Sequence, residues 1–89
     1  MNEYALLLSE PINFAVVQLP DRKYPGVVCH GDTLNALVKD LESMLVTLKD
    51  GNLVELKDQI NSMREMLEEA KSFYESVCEK QKIRLPYVK

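Results

Sequence analysis

The run LVTLKDGNLVELKDQI, residues 45–60, decides the fold, because it ends one amphipathic helix and begins another within a few positions. A lysine and an aspartate followed by Gly51 are typical of a helix end, where a cation meets the negative pole and glycine takes a left-handed cap. Asn52 and Glu55 match a capping box, which marks the start of the next helix. Two helices joined so closely are predicted to fold back as an antiparallel hairpin.

Apolar residues recur at helical spacing on both sides of this turn. Helix one is predicted over 32–50, with Asp32 or Thr33 as N-cap, since either side chain can accept hydrogen bonds from the free amides of the first turn. Its apolar stripe consists of Leu34, Leu37, Val38, Leu41, Met44, Leu45 and Leu48. Helix two is predicted over 52–79, so it is about 40 Å long against about 25 Å for helix one.

Helix two carries a heptad seam, with apolar residues at alternating intervals of three and four, which is typical of helix association. The seam is Leu53, Leu56, Ile60, Met63, Leu67, Ala70, Tyr74 and Val77. Because helix two is longer than helix one, the apolar residues of its last turns must pack against another part of the structure, either the N-terminal segment or a second copy of the chain. We expect a homo-oligomer that associates through Ile60, Met63, Leu67, Ala70, Phe73, Tyr74 and Val77.

Residues 1–31 contain three β-like runs separated by prolines, and these are 4–8, 14–19 and 26–30. The last two are rich in valine and flank a turn with proline at both ends, which predicts a β-hairpin. The first is either a third strand or a helical turn. The expected fold class is α+β in a single domain, residues 1–89: a short N-terminal β-hairpin segment, a long antiparallel helical hairpin and a basic tail over 80–89.

Composition excludes several functional classes. The 89 residues have a mass of 10.2 kDa and a formal net charge of −3, whereas a duplex-DNA binder normally has a basic total. The longest apolar run is far shorter than a membrane span, and the N-terminus has no basic region or cleavage site of a signal peptide. With Cys29 and Cys78 expected as reduced thiols, a cytoplasmic location is predicted.

Neither a catalytic set nor a metal site is evident in the sequence. His30 is the one histidine, and its neighbour Cys29 would point to the opposite face of a strand, so the two cannot act as nucleophile and base. A Walker or Rossmann glycine loop is absent, and one Cys–His pair cannot complete a zinc site. The protein is therefore expected to be no enzyme and to need no cofactor and no metal.

The most ligand-like feature is the turn PDRKYPG, residues 20–26. Arg22 and Lys23 can hold phosphate oxygens, and Tyr24 can stack on a base, with Phe14 expected nearby across the hairpin. The competing interpretation is a charged turn with Tyr24 folded over the core. The sequence leaves both open.

The run YPGVVCHGDTL, residues 24–34, is similar to the strand–Gly-Asp-Thr-Leu–helix junction of HicB-type antitoxins. Those proteins continue with a further strand or DNA-binding part, whereas a long helix follows here. The wider pattern, from Leu19-Pro20 to the same GDTL, resembles small phage and bacterial anti-defence proteins that sequester cyclic oligonucleotide messengers. The match to the HicB-type junction covers about a fifth of the chain.

This resemblance implies non-catalytic sequestration of a cyclic di- or trinucleotide that antagonises bacterial antiphage signalling (CBASS). It also implies a homo-oligomer, hexameric in that family, acting in the cytoplasm of the host cell. The carried-over ligand-binding positions are Lys23, with Arg22 beside it, and one of the aromatic residues Tyr24, Phe14 or Tyr4. The alternative function is that of an antitoxin or immunity protein that inhibits a basic toxin or nuclease through an acidic helix-two surface, with Glu65, Glu68 and Glu69 at its centre.

Overall fold

Three short strands precede two helices in the computed structural model, which describes residues 4–89. The elements are β1 (Leu6–Leu7), β2 (Val16–Gln18), β3 (Gly26–Val27), α1 (Gly31–Lys49) and α2 (Leu53–Lys80). The predicted α+β class, with an N-terminal β segment followed by a helical hairpin, is therefore confirmed.

The strands form one antiparallel sheet in the order β1-β2-β3, and the predicted hairpin pairs Val16 with Val27. The segment 4–8 contains a strand and not a helical turn, because Leu6 pairs with Gln18. The strands are shorter than the β-like runs. The Val16 amide donates to the Ser9 hydroxyl at 2.9 Å instead of to a backbone carbonyl, so the ladder between β1 and β2 ends there.

The chain packs as two compact units. The sheet unit contains the residues up to Cys29 together with Ala70–Lys89. The hairpin unit contains His30–Glu69. Helix α2 is continuous and contributes to both.

The sheet unit has a small apolar core built from β2 and the last turns of α2. Its buried side chains are Val16, Tyr74, Val77 and Cys78, and partly buried Leu8, Phe73, Ile83 and Leu85 pack against them. The N-terminal segment and the tail of the same chain thus supply a cover for the end of α2. Tyr74 and Val77, which the seam placed in an oligomer interface, are only 6% and 7% exposed and are core residues of this unit.

The turn between the helices follows the predicted chemistry. Gly51 has a φ of +74°, in the left-handed region that glycine adopts without strain. The Glu55 amide donates to Asn52 Oδ1 at 3.1 Å, and Asn52 Nδ2 donates to Glu55 Oε2 at 3.2 Å. The two side chains therefore support each other at the first turn of α2.

The start of α1 differs from the prediction. The helix begins at Gly31 with His30 in the N-cap position, and no side chain caps it. Asp32 lies inside the first turn, where its Oδ1 accepts a hydrogen bond from the Thr33 amide at 2.8 Å. There its negative charge still faces the positive end of the helix dipole, which explains why an aspartate suits this position without being the cap.

Replacing Asn52 with Ala is expected to lower the free energy of unfolding by about 1 kcal/mol, because an amide at the start of α2 loses its acceptor. Urea denaturation followed by the helical circular dichroism signal measures this loss. Asn52→Asp keeps the acceptor and should stay close to the parent. Equal stability of Asn52→Ala and the parent would show that the cap contributes nothing.

The hairpin unit holds its two helices together with few buried groups. Gln59 Nε2 donates to Ser43 Oγ at 3.0 Å, and the helices line a groove of about 370 Å³ formed by Asp40, Ser43, Met44, Gln59, Ser62, Met63 and Met66. Thr47, at 7% exposure, is the one buried residue between His30 and Glu69, all of which the structure describes. The unit therefore has no buried apolar core of its own.

Candidate ligand-binding loop

The segment that carries the predicted ligand residues, called here the proline loop (residues 20–25), is a tight turn fixed at its start. The Arg22 amide donates to the Leu19 carbonyl at 3.4 Å, and Asp21 has a φ of +63°. This is the geometry of a type II turn, in which aspartate tolerates the left-handed position. Gln18 Nε2 donates to the Arg22 carbonyl at 2.6 Å, which ties the turn to the end of β2.

The other end of the proline loop is attached to the core of the sheet unit. The Tyr74 hydroxyl donates to the Pro25 carbonyl at 2.8 Å in a buried hydrogen bond. Desolvation, with a smaller contribution from neighbouring Cys78, raises the pKa of Tyr74 to about 12, so the hydroxyl stays protonated at neutral pH. Both ends of the loop are therefore held, which restricts the positions that its side chains can take.

The loop presents its two cations to solvent. Arg22 and Lys23 are exposed, and Tyr24 is half-buried. The Lys23 Nζ lies 5.4 Å from the centroid of the Tyr24 ring, within the range of a cation–π contact. One face of that ring is consequently covered by the lysine, and a ligand base can stack there only after Lys23 turns away.

The strand register places the two outlying aromatic candidates at different ends of the sheet. Extending the pairing of β1 with β2 puts Tyr4 opposite Pro20, at the loop end, and Tyr4 is 83% exposed. Extending the pairing of β2 with β3 puts Phe14 opposite Cys29, at the other end. Phe14 has a φ of +63° and precedes β2, so the three residues of that strand lie between it and the loop, and its part in a ligand site stays a prediction.

Several other residues that the sequence singled out lie apart from the loop. His30 is exposed at the start of α1, and Cys29 and Cys78 are separate thiols, the first exposed and the second buried. Glu65, Glu68 and Glu69 are exposed on α2, in the hairpin unit. Between residues 4 and 89, no three histidine, cysteine or acidic side chains are grouped closely enough to hold a metal ion.

A separate concave surface of the sheet unit contains none of the predicted ligand residues. It is a groove of about 270 Å³ lined by Leu8, Ser9, Glu10, Phe73, Val77, Lys80 and Gln81. Gln81 Nε2 donates to the Leu8 carbonyl at 3.3 Å along this groove.

Sequence reasoning missed the two residues that hold the proline loop. Gln18 is an ordinary polar position at the end of a strand, and Tyr74 looked like one more member of the helix-two seam. The sequence contained one indication of this role, because Tyr74 places a hydroxyl in an otherwise apolar seam. A buried tyrosine usually needs a hydrogen-bond partner.

Comparison with known proteins identifies a family for this chain. A search of curated proteins and a search of solved structures both found no match. Along the described residues, no helix is both long enough and apolar enough to cross a membrane. A family model described as "Family of unknown function (DUF6959)" matches residues 1–87. With nearly the whole chain matched, this protein belongs to the DUF6959 family.

Proposed function

We propose that this protein is a non-catalytic binding protein that sequesters a phosphate-bearing nucleotide at the proline loop. The observation that carries the proposal is the fixed turn with two adjacent exposed cations, held by Gln18 at one end and by Tyr74 at the other. A loop ordered before binding loses less conformational entropy when the ligand arrives, so two charged contacts contribute more to affinity.

The ligand class that we favour is a cyclic di- or trinucleotide, in agreement with the resemblance to anti-defence proteins. Arg22 and Lys23 supply donors for phosphate oxygens. Tyr4, at the same end of the sheet, supplies an exposed ring on which a base can stack, and Tyr24 can supply a second once Lys23 turns away from its ring. One loop cannot enclose a whole dinucleotide, so we expect two subunits of a homo-oligomer to complete each site.

Release, and not hydrolysis, should end the complex. The proline loop carries no histidine, and its single carboxylate, Asp21, has no second acidic residue within the loop to act as its acid partner. Sequestration of this kind would lower the free concentration of a second messenger in the host cytoplasm and so antagonise antiphage signalling.

Replacing Lys23 with Ala should weaken nucleotide binding by about ten- to a hundredfold, the loss of one charge-assisted contact of roughly 1.5–3 kcal/mol. Calorimetry with a panel of cyclic di- and trinucleotides measures the affinity, and heating the complex should return intact ligand. Lys39→Ala removes an exposed lysine of α1 and serves as the matched control, with unchanged affinity. Absence of binding across the panel, or parental affinity in Lys23→Ala, would contradict the proposal.

One observation favours the second candidate function, inhibition of a basic protein. Asp58, Glu65 and Glu69 fall within about 40° of one another around the axis of α2, and all three are exposed. Glu68 lies nearby and meets Arg64 at 3.8 Å. An acidic stripe of this kind can cover the basic surface of a toxin or nuclease. This candidate takes first place if the nucleotide panel fails.

A further inference from the structure

The hairpin unit exposes a continuous apolar surface, called here the open face. Helix α1 contributes five side chains at intervals of four and three: Leu34, Val38, Leu41, Leu45 and Leu48. Helix α2 contributes Leu53, Ile60 and Leu67, seven residues apart. Each of the eight is between 45% and 67% exposed.

The two sets lie on the same side of the hairpin. On α1, Leu41 follows Asp40 and Leu45 follows Met44, and both Asp40 and Met44 line the groove. Leu48 follows Thr47, which is buried. On α2, Ile60 and Leu67 follow the groove residues Gln59 and Met66 in the same way. A step of one residue rotates the side-chain direction by 100° about the helix axis. Because α1 and α2 run antiparallel, this step turns the apolar stripe of α1 and that of α2 toward the same side of the hairpin.

We propose that the open face packs against the open face of a second copy of this chain, forming a four-helix bundle. The hairpin unit buries one residue, a threonine, so it lacks the apolar layer that a helical unit ordinarily needs. The eight side chains expose roughly 700 Å², close to the ~800 Å² that each partner contributes to a standard stable interface. Intervals of four and three on α1 are those of side chains that interlock between helices.

Charged residues beside the apolar stripes favour packing of α2 on α1 of the partner over packing of α2 on α2. Ser43 and Gln59 are hydrogen-bonded and so lie at one level of the hairpin, which places Glu42 level with Ile60. Arg64 and Lys57 flank that level on α2, one turn to either side, beside the apolar stripe. In the proposed dimer, a two-fold axis runs parallel to the helices, and α2 of one copy packs on α1 of the other. In this arrangement the Glu42 side chain of each copy approaches Lys57 and Arg64 of the other copy. Packing α2 on α2 would bring Lys57 and Arg64 of the two copies together, a repulsion that Glu68, 3.8 Å from Arg64, offsets only in part.

The mass of the full chain in solution tests the interface, independently of nucleotide binding. Sedimentation equilibrium of the 10.2 kDa chain at micromolar concentration should give a dimer. Leu45→Glu, at the centre of the open face, should raise the dissociation constant by about a hundredfold or more, because it places a carboxylate in an apolar interface. Val46→Glu is the matched control, since Val46 is 60% exposed outside the face, and it should leave the dimer intact.

A charge exchange keeps the test informative if Leu45→Glu disturbs the hairpin. Glu42→Arg and Arg64→Glu should each weaken the dimer by about fivefold, and the double variant should recover the parental dissociation constant. A strict monomer in the parent, dissociation by Val46→Glu equal to that by Leu45→Glu, or failure of the double variant to recover would each overturn the proposal.

Discussion

Val77→Asp is expected to unfold the sheet unit. Val77 is 7% exposed and packs in the cluster with Val16, Tyr74 and Cys78. The substitution removes an apolar contribution of roughly 1.5–3 kcal/mol and places a carboxylate at a buried position of the apolar cluster, at a further cost of several kcal/mol. The total stability of a chain of this length is about 4–13 kcal/mol, so most of it would be lost.

Two-dimensional amide NMR and the thermal transition measure this loss. Val88→Asp makes the same chemical change at a side chain that is 99% exposed, and it should leave both unchanged. A cooperative transition retained by Val77→Asp at the parental temperature would contradict the core assignment. The heptad seam alone predicted a different result, in which such a substitution dissociates an oligomer before it unfolds the chain.

Tyr74→Phe is expected to reduce stability near pH 8 and to remove the contribution of Tyr74 to the pH dependence above pH 10. The Pro25 carbonyl, buried against the ring, loses its donor, which should cost about 1–3 kcal/mol. In the parent, burial raises the pKa of Tyr74 from 10.0 to about 12. Stability from the protonated hydroxyl is therefore fully present below pH 10 and is lost as the pH rises to 12, by about 2–3 kcal/mol.

Urea midpoints measured for both proteins between pH 8 and pH 12.5 check the sign of this effect. The two curves should lie apart near pH 8 and converge by about pH 12, because only the parent carries the Tyr74 hydroxyl, whereas Tyr87, whose pKa is also raised, titrates in both proteins. Tyr4→Phe, at a ring that is 83% exposed, is the control and should follow the parent throughout. A constant difference across the pH range would show that Tyr74 titrates alike in the folded and unfolded chains.

Local signals determined much of the secondary structure. The capping pair Asn52 and Glu55 forms at the predicted place, and Gly51 takes the left-handed backbone that ends the turn. The hairpin between β2 and β3 was also readable, from valine-rich runs flanking a proline-bounded turn. These features depend on residues a few positions apart, so the chain specifies them without reference to its tertiary contacts.

Tertiary packing decided which residues of the helix-two seam are covered. The pattern treated eight positions as one surface, yet Tyr74 and Val77 are core residues of the sheet unit, whereas Leu53, Ile60 and Leu67 remain exposed. Periodicity shows that a face is apolar but not what packs on it. The N-terminal strand that reaches Val77 is more than sixty residues away in sequence.

For the candidate site, too, the sequence predicted one part and the tertiary structure determined the rest. Adjacent Arg22 and Lys23 in a proline-bounded turn could be identified from sequence alone, because neighbours in a tight turn stay together whatever the rest of the chain does. Register placed Tyr4 at the loop end of the sheet and Phe14 at the other, and a hydroxyl 49 residues away holds the Pro25 carbonyl. The sequence by itself thus determined the helices, the turns and the cations of the loop. The tertiary structure alone decided the cover of α2, the anchors of the loop and the open face of the hairpin, since each depends on contacts between segments distant in sequence.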